Sequence, residues 1–238
     1  MCVGRASNKA LENVHTTSSQ EGPVMPRFEV QRFCRFALAA AITGLAACGA
    51  APEQATPSPA ISQEAAALRT VVPLTRPVAL DKAGTIADVE FDLSPPRSGA
   101  STDLLLGLRV WAKDAKSMYE IKDLINHGEF PLTLHLTRVD GAKPVQIGLT
   151  RISKDLQSRL PVASSGVVPG TTSTSVDVAM LKDAGLIDRS LVYGVLSLAQ
   201  MEKAAPGKYR ITVGVNTDRP ELSAKNVELI VAYFNKGK

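Results

Sequence analysis

The sequence predicts a mainly β protein: an antiparallel β-sandwich with one inserted helix, preceded by a signal peptide and a flexible tether. Three observations carry this. About eight or nine short runs of β-branched and large apolar residues recur between Val71 and Phe234, separated by Gly, Pro, Asn and Asp clusters. One stretch alone, Lys113 to Asn126, changes to helical spacing. There is no βαβ alternation and no internal repeat.

The elements follow in order. Val71–Leu80 reads as an edge or bent strand, because Pro73 and Pro77 remove ladder donors. Thr85–Leu93 is a strand with Val89, Phe91 and Leu93 on one face. Leu104–Trp111 is a strongly apolar strand. In the helix Lys113–Asn126, Met118, Ile121, Leu124 and Ile125 share a stripe, and His127-Gly128 ends it. Phe130–Val139 alternates strictly, Leu132, Leu134 and Leu136 inward and Thr133, His135 and Thr137 outward. Asp140–Lys143 is a hairpin turn and Val145–Ile152 its partner strand. Pro161–Ser175, rich in Ser, Thr, Gly and Pro, reads as a long loop. Ser175–Val178 is a short strand and Leu181–Leu186 a helical turn. Leu191–Leu198, Lys208–Val215 and Val227–Phe234 complete the sheets.

The N-terminal part carries an address. Arg27, Arg32 and Arg35 form a basic start, and Phe36–Gly44 a short apolar core. Leu45, Ala46 and Ala47 then place small residues before Cys48, the tripartite layout of a secretory signal peptide. Leu45-Ala-Ala-Cys48 resembles the lipobox of bacterial lipoproteins. The resemblance implies that Leu45, Ala46 and Ala47 are read by the signal peptidase, that the Cys48 thiol takes a diacylglycerol, and that the new amino end is acylated. Gly49, where Asp would favour inner-membrane retention, points to the outer membrane with the chain facing the periplasm. The layout divides the chain into a polar prefix 1–24 with Met25 as the expected start, a signal peptide 25–47, a lipidated Cys and flexible tether 48–69, and a sandwich 70–238. Glu64–Arg69 would add a helical turn to the tether. Pro206-Gly-Lys-Tyr-Arg-Ile-Thr-Val213, Arg219–Leu222 and Val227–Val231 resemble the end of a family of small bacterial lipoproteins with a sandwich domain of unknown function. That resemblance covers roughly 71–238 and implies a sandwich and a lipid anchor, with no catalytic residues.

Charge adds little. Residues 1–47 hold five of the 27 basic and three of the 23 acidic side chains, so the remainder carries 22 against 20, a net of +2. That is no basic stripe, so no nucleic-acid partner is expected. Cys2 and Cys34 fall in the leader, which leaves no thiol beyond Cys48 for catalysis or a disulfide. His127 and His135 lack metal-site spacing, and no metal or cofactor is expected. Ser117, Ser158 and Ser164-Ser165-Gly166 lack nucleophile contexts, and Ser153-Lys154 is adjacent rather than one turn apart. Asp103, Glu120, Asp123 and Glu129 cluster in sequence, the raw material of a carboxylate pair or a solvated helix face. Trp111, Met118, Tyr119 and Phe130 bracket the helix as core and docking residues. No catalytic residues are expected.

The expected function is therefore a non-enzymatic, lipid-anchored module that binds a protein partner in the envelope, as an immunity or adaptor protein would. A lipid or apolar-ligand carrier and a carboxylate-using cell-wall hydrolase are the alternatives. Binding is expected on the helix and the long loop, through Lys116, Tyr119, Ser164 and Ser165.

Overall fold

The computed structural model describes residues 60–126, 130–153, 155–156 and 158–235. Cys48, Leu45, Ala46 and Ala47, with His127, Glu129 and Lys154, lie outside the described residues. In chain order the elements are α1 (Gln63–Ala67), β1 (Leu74–Pro77), β2 (Gly84–Leu93), β3 (Leu104–Ala112), α2 (Ala115–Asn126), β4 (Leu132–Arg138), β5 (Val145–Gln146), β6 (Thr150–Ile152), β7 (Arg159–Pro161), β8 (Val167–Val168), β9 (Thr172–Thr174), α3 (Val178–Asp183), β10 (Val192–Met201), β11 (Gly207–Val215), a 3₁₀ turn Pro220–Leu222 and β12 (Val227–Tyr233).

The strands form two antiparallel sheets. The smaller runs β2-β11-β4-β5, with β8 also on β4; the larger runs β1-β12-β3-β10-β6-β7, with β9 also on β10. Leu106, Leu108, Leu134, Ile211 and Leu229 are fully buried in the common core. The alternation of β4 survives, with Leu132, Leu134 and Leu136 buried and the residues between them half-buried. In β10 a bulge between Ser197 and Ala199 shifts the register. It keeps both Leu196 and Met201 in the core although they are an odd number of residues apart. The Tyr209 hydroxyl donates to the Ala205 carbonyl at 2.7 Å, the tie that sandwich domains use at a strand corner. Tyr233 donates to the Ser94 carbonyl at 2.7 Å, and burial pushes its phenol up to about 12.

Helix α2 starts where Asp114 accepts from the Ser117 amide at 2.9 Å and its hydroxyl at 2.8 Å. These bonds, the amide first, hold the Asp114 carboxyl below its ordinary range. Met118, Ile121 and Ile125 are buried. Gly194 lets the helix lie against β10, since a Cβ there would meet the Met118 sulfur at 2.5 Å. The Leu124 carbonyl, an orphan at the helix end, accepts from Arg219 Nη2 at 3.0 Å.

Three segments differ from the expected pattern. Val145–Ile152 is not one strand: β5 pairs only with Thr137 and Arg138, and β6 crosses to pair with Gln200 of the larger sheet. The crossing occurs at Gly148, and Leu149 is buried where the chain passes between sheets. The stretch 161–175 is not a long loop, because β8 covers the free edge of β4 and β9 that of β10. Unpaired edges expose backbone donors and acceptors, and the β-branched residues Val167, Val168, Thr172 and Thr174 pair them. The strand expected at Ser175–Val178 falls earlier, at β9, and α3 begins at Val178, where Asp177 accepts from the amides of Ala179 and Met180.

Residues 60–69, read from sequence as the end of a tether, pack on the larger sheet. The Ile61 amide donates to Gly185 at 2.9 Å, and Arg76 donates to Ala66 at 3.0 Å. Ala66 joins Leu105, Val176, Leu181, Leu186, Ile230 and Ala232 in a second, smaller core on the outer face of that sheet.

Candidate binding site

The second core ends at a groove over the start of β10, the end of β3 and the start of β12. Its floor follows from strand register. Arg109 on β3 stands opposite Glu228 on β12 and Val195 on β10, and Trp111 stands opposite Tyr193. Side chains alternate along a strand, so Arg109 and Trp111 share the outer face.

Arg109 and Glu228 form a buried ion pair, 4% and 7% exposed. Nε donates to Glu228 Oε2 at 2.8 Å, and Nη2 lies 2.6 Å from the same oxygen. Nη1 donates to the Leu186 carbonyl at 2.7 Å, and the guanidinium carbon sits 4.6 Å from the centre of the Tyr193 ring. A buried charge demands such partners. The Tyr193 hydroxyl accepts from the Asp188 amide at 3.0 Å. Asp188 accepts from the Ser190 hydroxyl at 2.7 Å and amide at 2.8 Å; these bonds, the hydroxyl first, hold its carboxyl below the ordinary range.

Two cavities open along this floor. One of about 570 Å³ lies over Tyr193 and Arg109 and is walled by Leu186, Asp188 and Ile61. One of about 410 Å³ continues toward Asp81, Lys225 and Asn226. Trp111, Glu228 and Gln63 line both. Both volumes fall in the range of small-ligand sites.

The residues expected at a partner surface lie elsewhere. Tyr119 is 56% exposed on the outer side of α2, so it is not a core residue. Its ring has Lys122 Nζ 5.6 Å from the centre, and Lys116 lies 4.0 Å from Glu120. Ser164 and Ser165 are exposed between β7 and β8, with Ser164 on a separate cavity of about 330 Å³ beside Gln146 and Leu149. No hydrogen bond or ion pair among the described residues joins Lys116 or Tyr119 to Ser164 or Ser165. Trp111, expected in the core, is half-buried and lines the groove. Met118 and Phe130 are buried as expected.

The acidic cluster is dispersed. Asp103 accepts from the Lys203 amide at 3.1 Å and faces Arg159 at 3.5 Å. Glu120 and Asp123 instead line a cleft with Arg219 and Glu221. The Arg219 side-chain hydrogen bond lowers the Glu221 pKa, the opposite of what a general acid needs. Among the described residues no group of three or more His, Cys, Asp or Glu could hold a metal ion. Among them, too, no helix is long and apolar enough to cross a membrane.

Arg109, Glu228, Tyr193, Gln63 and Asp188 escaped the sequence reading. A signal for two of them was there: one arginine inside Leu104–Trp111 and one glutamate inside Val227–Val231. Opposite charges in two apolar strands mark a paired, buried site. Compared with protein-family models, with curated proteins and with solved structures, the chain matches none.

Proposed function

We propose that the chain is a lipid-anchored, non-enzymatic protein-binding module of a bacterial envelope, held on the outer membrane through acyl chains on Cys48 and facing the periplasm. The address rests on the basic start, apolar core and Leu45-Ala-Ala-Cys48. Several acyl chains anchor far more firmly than one. The observation that carries the binding role is Tyr119, a 56% exposed aromatic on a helix whose other face is locked into the core. Rigidly held aromatics are common interface anchors, and Lys116 and Lys122 flank it with charge. A carrier of apolar ligands needs room between the sheets, where Leu106, Leu108, Leu134, Ile211 and Leu229 meet instead.

Metabolic labelling with a fatty-acid analogue tests the anchor: label is expected on the wild type and absent from Cys48→Ser. A photoreactive residue at position 119 tests the surface. It should give a discrete adduct with one envelope protein, whereas the same group at Arg210, on the far sheet, should not. Equal adducts from both positions would remove the assignment.

A further inference from the structure

The outer-face groove carries chemistry that the scaffold does not require. Trp111 and Tyr193 are cross-strand partners, and such neighbours have Cβ atoms about 5 Å apart. Both side chains line the first cavity, the Tyr193 ring is occupied by the Arg109 guanidinium, and Trp111 lines both halves of the groove. The cation beside them is already engaged. Arg109 turns Nε and Nη2 to Glu228 and Nη1 to a backbone carbonyl, so an anionic ligand would have to break a buried pair to reach it. The other groups along the walls are amides and charges: Asp188 on the near wall, already bonded to Ser190, Gln63 at the junction, Asn226 beyond it, and Asp81 with Lys225 at the far rim. From β10 across β3 and β12 to β1 the floor spans three strand spacings, about 14 Å.

We propose that this groove binds a neutral, hydroxyl-rich ligand, a short oligosaccharide, with one sugar ring stacked on Trp111. The C–H face of a pyranose is apolar and weakly positive, and it meets the negative face of an aromatic ring. Its rim hydroxyls both donate and accept, which suits amides and carboxylates on both walls better than a single charge would. A few polar groups around an apolar platform are the usual composition of a small-ligand site. The site is separate from the α2 surface and does not depend on it.

Trp111 is the only tryptophan in the chain, so its fluorescence reports on the groove directly. The full chain, in a detergent without a sugar headgroup, is titrated with β-1,4-linked oligomers of N-acetylglucosamine, then with oligomers of glucose. A saturable change in emission is expected with at least one of them, at the same midpoint in low and high salt because no ion pair forms. Calorimetry should show Trp111→Ala weakening that binding about tenfold or more. Gln63→Ala, at an exposed helix position that leaves the fold intact, should weaken it a few-fold. Lys116→Ala and Tyr119→Ala should leave it unchanged, which separates this site from the protein-binding surface. No saturable change with either sugar series overturns the proposal. So does binding that survives both groove substitutions.

Discussion

The two sheets of this sandwich sit in different surroundings. The smaller has water on its outer face: Thr133, His135 and Thr137 are half-buried there, and the Arg210–Asp88 pair is 51% and 39% exposed. The larger is covered on both faces at its centre, though β7 at its edge is exposed. Every residue of β12 is buried, and β3 is buried except at Trp111. The cover is α1, α3 and the segment 184–187, whose side chains form the second core. Both sheets carry an arginine–carboxylate pair across strands, yet Arg109–Glu228 is nearly inaccessible. The groove occurs where the cover stops. A single-faced sheet needs only alternation, whereas a two-faced sheet needs a lid, and the end of a lid is where a site can form.

The largest expected difference lies in the two ion pairs. Glu228→Leu leaves Arg109 buried without its partner and should cost about 3–5 kcal/mol in denaturant unfolding. Replacing both, Arg109→Met with Glu228→Leu, should recover most of that loss, because the cost lies in the orphaned charge. Asp88→Asn on the smaller sheet should barely move the transition. Arg210, chiefly by its side-chain hydrogen bond, holds the Asp88 pKa below its ordinary 3.8. A lowered carboxyl stabilises above its unfolded value and loses that contribution as pH falls through its folded one. Any difference between wild type and Asp88→Asn should therefore be present at neutral pH, shrink as pH falls below about 3.8, and vanish only below the lowered folded value.

Outer-face side chains come next. Ile230→Ala removes a fully buried member of the second core and should cost about 2–4 kcal/mol. Thr212→Ala, outward on β11 of the smaller sheet, should fall within about 0.5 kcal/mol of wild type.

The smallest matched pair is glycine. At Gly107 a Cβ would meet the Leu196 carbonyl oxygen, which is backbone, at 2.3 Å, so Gly107→Ala should cost about 1–3 kcal/mol. At Gly214 the nearest backbone atom would be 3.4 Å away, and Gly214→Ala should be neutral or slightly stabilising. Thermal melts of both, read together, test whether the larger sheet is the tighter one.

The same contrast explains what the sequence could show. The smaller sheet was legible, since β2 and β4 face water on one side and their apolar residues alternate. The apolar runs of β3 and β12 were legible as strands, but nothing in their spacing says what covers their second face. Ala66 and Ile61 sit in a polar, Ala-rich stretch that composition alone reads as a tether, and they acquire a role only through contact with Gly185 and Leu105. The same holds for 161–175. Gly166, Pro169 and Gly170 signal a loop, while the pairing of Val167-Val168 and Thr172–Thr174 depends on sheet edges far away in the chain. The groove was illegible for this reason: its aromatics come from β3 and β10, and its walls from residues near 61, 186 and 226. Only the stray charges Arg109 and Glu228 pointed toward it.

Hydrogen exchange on the full chain tests the covered face most directly. The amides of Ile61, Ala66 and Leu68 donate to Gly185, Ser62 and Glu64. Peptides spanning 61–68 should therefore exchange far more slowly than a free chain, and Glu228→Leu should speed their exchange by loosening the face they cover. Exchange of 61–68 at the free-chain rate in the wild type would contradict a covered larger sheet, and with it the groove that the cover walls.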